Sequence, residues 1–93
     1  EDTRVKSVYF HPDMMARTVI LDPEVTTETP DWLWGASGMR AMDHAIEAIW
    51  ASPPHPITTQ LALEAARELV ECLPASRDPK ALDLRLRCQH AAW

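Results

Sequence analysis

The pattern of hydrophobic positions changes from strand-like to helix-like at Asp31. Before it, residues 7–10 (SVYF) and 17–21 (RTVIL) are short runs rich in β-branched and aromatic side chains, which predicts two short strands separated by a turn at residues 11–13. A pair of strands this small is not stable alone. Residues 22–31 (DPEVTTETPD) are polar and contain two prolines, which predicts a linker leading into a helix.

Residues 31–51 repeat with helical periodicity. One broad arc of this helix carries apolar side chains: Met39, Met42, Ala45, Ile46 and Ile49. The opposite arc carries polar ones: Arg40, Asp43, His44 and Glu47. Gly35 and Gly38 each weaken a helix by about 1 kcal/mol relative to alanine. We therefore expect a packing reason for them, such as close approach of another backbone.

Two further helices are expected after the break at SPPHP, residues 52–56. The first runs from about residue 57 to 73, and its wide apolar arc predicts burial on more than one side. In the last segment, Asp78 followed by Pro79 signals a helix start. However, Leu82, Leu84, Leu86 and Cys88 alternate with polar residues at strand spacing. We predict a helix because of the start signal and the Ala-, Leu- and Arg-rich composition, so the fold class is mostly α.

Composition fits one small globular domain of 93 residues, with 46% hydrophobic and 25% charged residues and a net charge of −5. Nucleic acid and membrane surfaces are poor partners for an acidic chain without a Lys/Arg cluster. No apolar run approaches the roughly 20 residues that span a bilayer, and we expect a cytoplasmic protein. Cys72 and Cys88 lie in apolar surroundings, which predicts two buried free thiols. The four tryptophans are expected to serve packing.

Arg40 and His44 are the most interesting polar pair, because residues four apart project from the same face of a helix. An aspartate at position 40 would have given two adjacent metal ligands, but arginine cannot ligate a metal. Asp43 and Glu47 are also four apart, and local ion pairing explains them more simply than acid–base chemistry. From the residues alone, a solvated helix face is favoured over a functional role.

A family resemblance changes this interpretation. Residues 18–51 resemble the central segment of the iron-containing alcohol dehydrogenase family, in which a strand ending in LDP leads through a threonine/proline linker into a helix with the pattern G-(x)-D-A-x-x-H-A-x-E. HPITTQLALEAARELVECLP resembles the next helix of the family, and RLRCQHAAW resembles the one after it. The resemblance covers nearly the whole chain, and GMRAMDHAIEA is its most specific part.

The resemblance implies an internal fragment of a longer enzyme. Residues 1–30 would be the end of a Rossmann-like nucleotide-binding α/β domain and its linker, and residues 31–93 the first helices of an α-helical catalytic domain. Such enzymes use NAD(P)H and a divalent metal, usually iron or zinc, held by one Asp and three His. The full-length protein is expected to be a homodimer acting on a small keto acid or alcohol, and the fragment to be inactive alone.

Carried over residue by residue, His44 matches the first histidine ligand of the metal, but the aspartate ligand falls on Arg40. Whether a metal is bound therefore stays open. Lys6 resembles a lysine that approaches the nucleotide, and Leu21 is expected along the cofactor cleft. Loss of the aspartate is typical of the maleylacetate reductase branch, whose members are regarded as working without the metal.

Three interpretations follow. In the first, the chain is part of an NAD(P)H-dependent oxidoreductase that reduces a keto group, similar to maleylacetate reductase, with Arg40 and His44 as catalytic residues. In the second, it is part of a metal-dependent iron-type alcohol dehydrogenase with a different substitute for the aspartate. In the third, it is a non-catalytic helical interaction module whose exposed apolar faces dock onto a partner.

Overall fold

A computed structural model describes residues 10–93, which form three α-helices joined by short turns. The helices are α1 (Asp31–Ile49), α2 (Pro56–Cys72) and α3 (Leu82–Ala92), and the 3₁₀ turns are Pro12–Met14, Glu24–Thr26 and Ala75–Arg77. The mostly helical fold is therefore confirmed, and so is the choice of helix for the last segment. That helix begins later than predicted, because Asp78 closes a turn instead: its Oδ1 accepts from the Lys80 N–H at 2.9 Å.

The predicted strand at residues 17–21 is wrong. Residues 10–93 contain no strand, and none of the inter-segment backbone hydrogen bonds in this range involves residues 17–21. A strand needs a hydrogen-bonded neighbour, and no described segment supplies one. Val19 and Ile20 consequently remain exposed. Most of the other predicted strand, residues 7–9, lies outside the described residues, as does Lys6.

The core lies where the three helices meet, and it consists of Trp34, Leu69, Cys72, Leu73 and Cys88. Its polar edge is satisfied, because Trp34 Nε1 donates to Ser76 Oγ at 2.9 Å and this hydroxyl donates to the Leu73 carbonyl at 2.9 Å. Cys72 and Cys88 are buried free thiols as predicted, with their sulfur atoms 2.8 Å apart. Burial, together with the neighbouring thiol, raises the pKa of Cys72 to about 12.

Much apolar surface stays uncovered in this chain. On α1, Ala45 is buried and Met42 is half-buried, but Met39 and Ile46 of the predicted apolar arc are exposed. Within the described residues α2 is buried on one side only, because Leu61 and Val70 are each 67% exposed. The prediction of burial on more than one side is therefore not met here. In residues 10–93, no helix has the length and apolar character needed to cross a membrane.

Ion pairs join α2 to α3 and α1 to the turn before α3. Arg87 Nε lies 2.8 Å from a Glu68 oxygen, and Arg77 pairs with Asp31 at the start of α1. These guanidinium hydrogen bonds hold the pKa of Glu68 and of Asp31 below their usual values. The Arg77, Asp31 and Arg87 side chains are 58%, 52% and 41% exposed, whereas Glu68 is 23% exposed. Water and salt therefore screen the Arg77–Asp31 pair more strongly than the Arg87–Glu68 pair.

We expect this network to make stability depend on pH in the acid range. Because the folded-state pKa of Glu68 is lowered, its contribution is complete above its ordinary pKa of about 4.5 and is lost as the pH falls through the folded value. The urea midpoint should be flat from pH 7 to 6 and fall below about pH 4.5. In Glu68→Gln the midpoint should be lower at neutral pH and converge with the wild type in acid; parallel curves would contradict this.

Candidate functional site

On the exposed face of α1, Arg40 and His44 each contact an acidic side chain three residues further along the helix. The Arg40 guanidinium pairs with the Asp43 carboxylate, and His44 Nδ1 lies 3.3 Å from a Glu47 oxygen. Each pair spans three residues, so α1 itself sets its geometry. The Arg40 and His44 side chains are 62% and 61% exposed. The structure thus places a cation and an imidazole side by side, one helical turn apart, and both are accessible.

A groove of about 560 Å³ opens beside His44, between all three helices. Its floor is built from small side chains, among them Ala45, Ala62 and Ala91, and its polar edge includes Glu64, Glu68, Arg87 and His90. Among the predicted site residues that the structure describes, His44 lines this groove. Arg40 and Leu21 do not line it. The site therefore combines a charged helix face with an apolar wall.

The described residues do not form a metal site by themselves. In the part of the chain that the structure describes, no group of three or more His, Cys, Asp or Glu side chains is arranged to hold a metal ion. His44 has Glu47 beside it, but the preceding helical turn presents a guanidinium, which repels a cation. That His44 is a metal ligand stays a prediction.

A dinucleotide would find one predicted contact in residues 10–93. Leu21 is half-buried at the start of the linker and offers apolar surface. The other predicted contact, Lys6, lies outside the described residues.

A buried arginine on α3 is the feature that the sequence analysis missed. Arg85 is 0% exposed, and its guanidinium stands 4.3 Å from the centre of the Trp34 ring. In the sequence it occupies a polar position in the alternation of residues 82–88, which indicates exposure. Only the packing of the linker against α3 shows that this position faces inward.

Comparison with known proteins assigns the family. The chain is 41% identical over 83 residues to maleylacetate reductase 2 of Cupriavidus pinatubonensis (strain JMP 134 / LMG 1197), covering 88% of this chain and 23% of that protein. It is 34% identical over 90 residues to maleylacetate reductase of Rhizobium sp. (strain MTP-10005), covering 96% and 26%. For maleylacetate reductase of Burkholderia cepacia, identity is 32% over 93 residues, covering 99% and 26%.

The chain spans about a quarter of the length of these curated relatives. No family model matches it, and no solved structure does. The similarity to maleylacetate reductases nevertheless extends over most of its residues. The chain belongs to the iron-containing alcohol dehydrogenase superfamily and is similar to its maleylacetate reductases, as the resemblance in the sequence predicted.

Proposed function

We propose that the whole protein is an NAD(P)H-dependent reductase of a keto acid that carries two carboxylates, of the maleylacetate kind. The observation that carries this proposal is the similarity to maleylacetate reductases over 88%, 96% and 99% of this chain. NAD(P)H supplies the hydride in such a reduction. The residues of this chain that act on the substrate in our proposal are Arg40 and His44.

Arg40 binds one substrate carboxylate in this proposal. A guanidinium matches a carboxylate with two parallel hydrogen bonds, which fixes the orientation of the substrate as well as its affinity. Arg40 is held by Asp43 in this structure, but both side chains are more than half exposed. An ion pair of this kind is weak in water, so a substrate carboxylate can displace Asp43 at low cost.

His44 donates the proton. Hydride addition to the ketone carbon breaks the C=O π bond and places negative charge on the ketone oxygen. A proton delivered to that oxygen completes the reduction to the alcohol. Glu47, 3.3 Å from His44 Nδ1, would orient the imidazole ring and leave Nε2 to face the substrate.

The test is Arg40→Met in the complete protein. Because a hydrogen bond to a charged group contributes about 1.5–3 kcal/mol, the KM for the dicarboxylic keto acid should rise by roughly 10- to 100-fold. Steady-state kinetics at saturating NAD(P)H measure this. A keto acid with a single carboxylate serves as a second substrate. If Arg40 does not contact that substrate, the variant and the wild type should have the same KM for it.

Arg67→Met is the matched control, since Arg67 is another exposed arginine paired with glutamates, but on α2. Its KM should stay within about twofold of the wild type. Unchanged affinity for the dicarboxylate in Arg40→Met would rule out the assigned role. A tightly bound metal in the active full-length protein, with activity lost on chelation, would instead favour a metal-dependent alcohol dehydrogenase.

A further inference from the structure

The linker before α1 is fastened to α3 by two side chains that stand one helical turn apart. We infer that Arg85, assisted by Gln89, is a positioning residue that fixes this linker and thereby sets where the preceding part of the protein stands relative to α1. The inference rests on the proposed function, since it concerns the alignment of the hydride donor with the substrate. Its structural half can be tested whatever reaction the protein catalyses.

Arg85 makes contacts in three separate segments. Its Nη1 donates to the Thr26 carbonyl at 2.6 Å and lies 3.0 Å from Thr26 Oγ1. Its Nε donates to the Asp78 carbonyl at 3.3 Å, and its Nη2 to the Arg77 carbonyl at 3.4 Å. Together with the Trp34 ring, these groups surround the cation with carbonyl dipoles and a π face. None of these hydrogen-bond acceptors is a carboxylate.

Burying a cation without a carboxylate partner is unfavourable unless its donors are satisfied. An apolar side chain of similar volume would fill the same space against Trp34. What it would not provide is a directed hydrogen bond to a linker residue that lies 59 positions earlier in the sequence. The chemistry of Arg85 therefore points to holding the linker rather than to filling the core.

Gln89 supplies the second attachment. Its Nε2 donates to the Asp22 carbonyl at 3.1 Å. Between the two attachments the linker folds on itself, because Asp22 Oδ1 accepts from the Glu24 N–H at 2.9 Å and Thr26 Oγ1 donates to the Pro23 carbonyl at 2.6 Å. The segment is thus a turn that is hydrogen-bonded to α3 at both ends. Such a turn can hold the residues before it in a fixed position relative to α1.

This turn separates Leu21, expected beside the cofactor, from α1 with Arg40 and His44. Hydride transfer requires donor and acceptor atoms within about 3–3.5 Å, and a displacement of about 1 Å can lower the rate roughly 100-fold. Loosening the turn should therefore impair the chemical step. Binding of the substrate carboxylate, which depends on Arg40 in our proposal, should be preserved.

The experiment compares Arg85→Met, Arg85→Lys, Thr26→Val and Gln89→Ala in the full-length protein. For Arg85→Met we expect kcat to fall by at least tenfold while the KM for the keto acid changes by less than about twofold, the opposite of Arg40→Met. Hydrogen exchange followed by mass spectrometry should be at least tenfold faster in residues 22–29 and unchanged in α1. Arg85→Lys keeps a cation near Thr26 and should recover part of both effects.

Thr26→Val and Gln89→Ala each remove one attachment and should show smaller changes of the same kind; they decide the question if Arg85→Met does not fold. Wild-type kcat despite faster exchange in the linker would overturn the positioning role. Faster exchange throughout all three helices, with kcat and KM changed together, would also overturn it and make Arg85 merely structural. If the wild type reduces no keto acid, the proposed function fails, and linker exchange alone still tests the attachment.

Discussion

Replacing Trp34 by alanine should destabilise the fold by about 3–5 kcal/mol, the usual range for truncating a buried tryptophan. Trp34 is 9% exposed and packs in the core against Leu69, Leu73 and Cys88. Its ring also faces the Arg85 guanidinium, and its N–H satisfies the buried Ser76 hydroxyl. Alanine would leave a cavity, a cation without its π face and a hydroxyl without its donor, so the costs accumulate.

Trp32→Ala is the matched control, because Trp32 lies two residues earlier on the same helix and is 71% exposed. Its unfolding free energy should stay within about 0.5 kcal/mol of the wild type, as for most surface substitutions. Urea unfolding followed by circular dichroism measures both variants. Similar losses in the two variants would show that Trp34 is not the centre of the core.

The sequence predicted where α1 and α2 lie, but not which of their apolar side chains are buried. Helical periodicity located α1 and α2 to within two residues at each end, and proline-rich segments marked the breaks between them. Periodicity did not reveal which part of the apolar arc would be covered. Within that arc Ala45 is buried and Met42 is half-buried, whereas Met39 and Ile46 face solvent, because the contacts made by α2 and α3 decide the buried face.

Two other elements depended on contacts that local patterns do not contain. Residues 17–21 have the composition of a strand, but a strand exists only with a hydrogen-bonded neighbour. Arg85 is of a residue type that is usually exposed, yet it is buried because the linker folds over it. In both cases a segment distant in sequence determines the outcome.

In the candidate site, too, contacts within one helix could be predicted from the sequence and contacts between helices could not. The pairing of Arg40 with Asp43 could be anticipated, because three-residue spacing on a helix brings the side chains together. The groove beside His44 could not, since it is assembled from all three helices. Helix geometry therefore predicts the face of α1, and only the packed structure shows its neighbour.

Replacing each of two glycines on α1 by alanine should change the stability of the fold in opposite directions. A Cβ on Gly38 would lie 2.3 Å and 2.7 Å from the two Cδ atoms of Leu73, and 3.1 Å from its Cγ. The packing reason expected for this glycine therefore exists, although the close neighbour is a side chain and not a backbone. Leu73 is buried in the core, so it cannot swing into solvent without losing contacts.

Gly38→Ala should accordingly destabilise the chain by up to about 2 kcal/mol, because overpacking of about 1–3 kcal/mol opposes a helix-propensity gain of up to about 1 kcal/mol. Gly35→Ala is the control on the same helix: a Cβ there meets nothing within 4 Å, so the propensity gain should appear as stabilisation of about 0.5–1 kcal/mol. Urea midpoints of the two variants should fall on opposite sides of the wild type. Stabilisation by both alanines would mean that α1 and Leu73 are packed less closely than the structure places them.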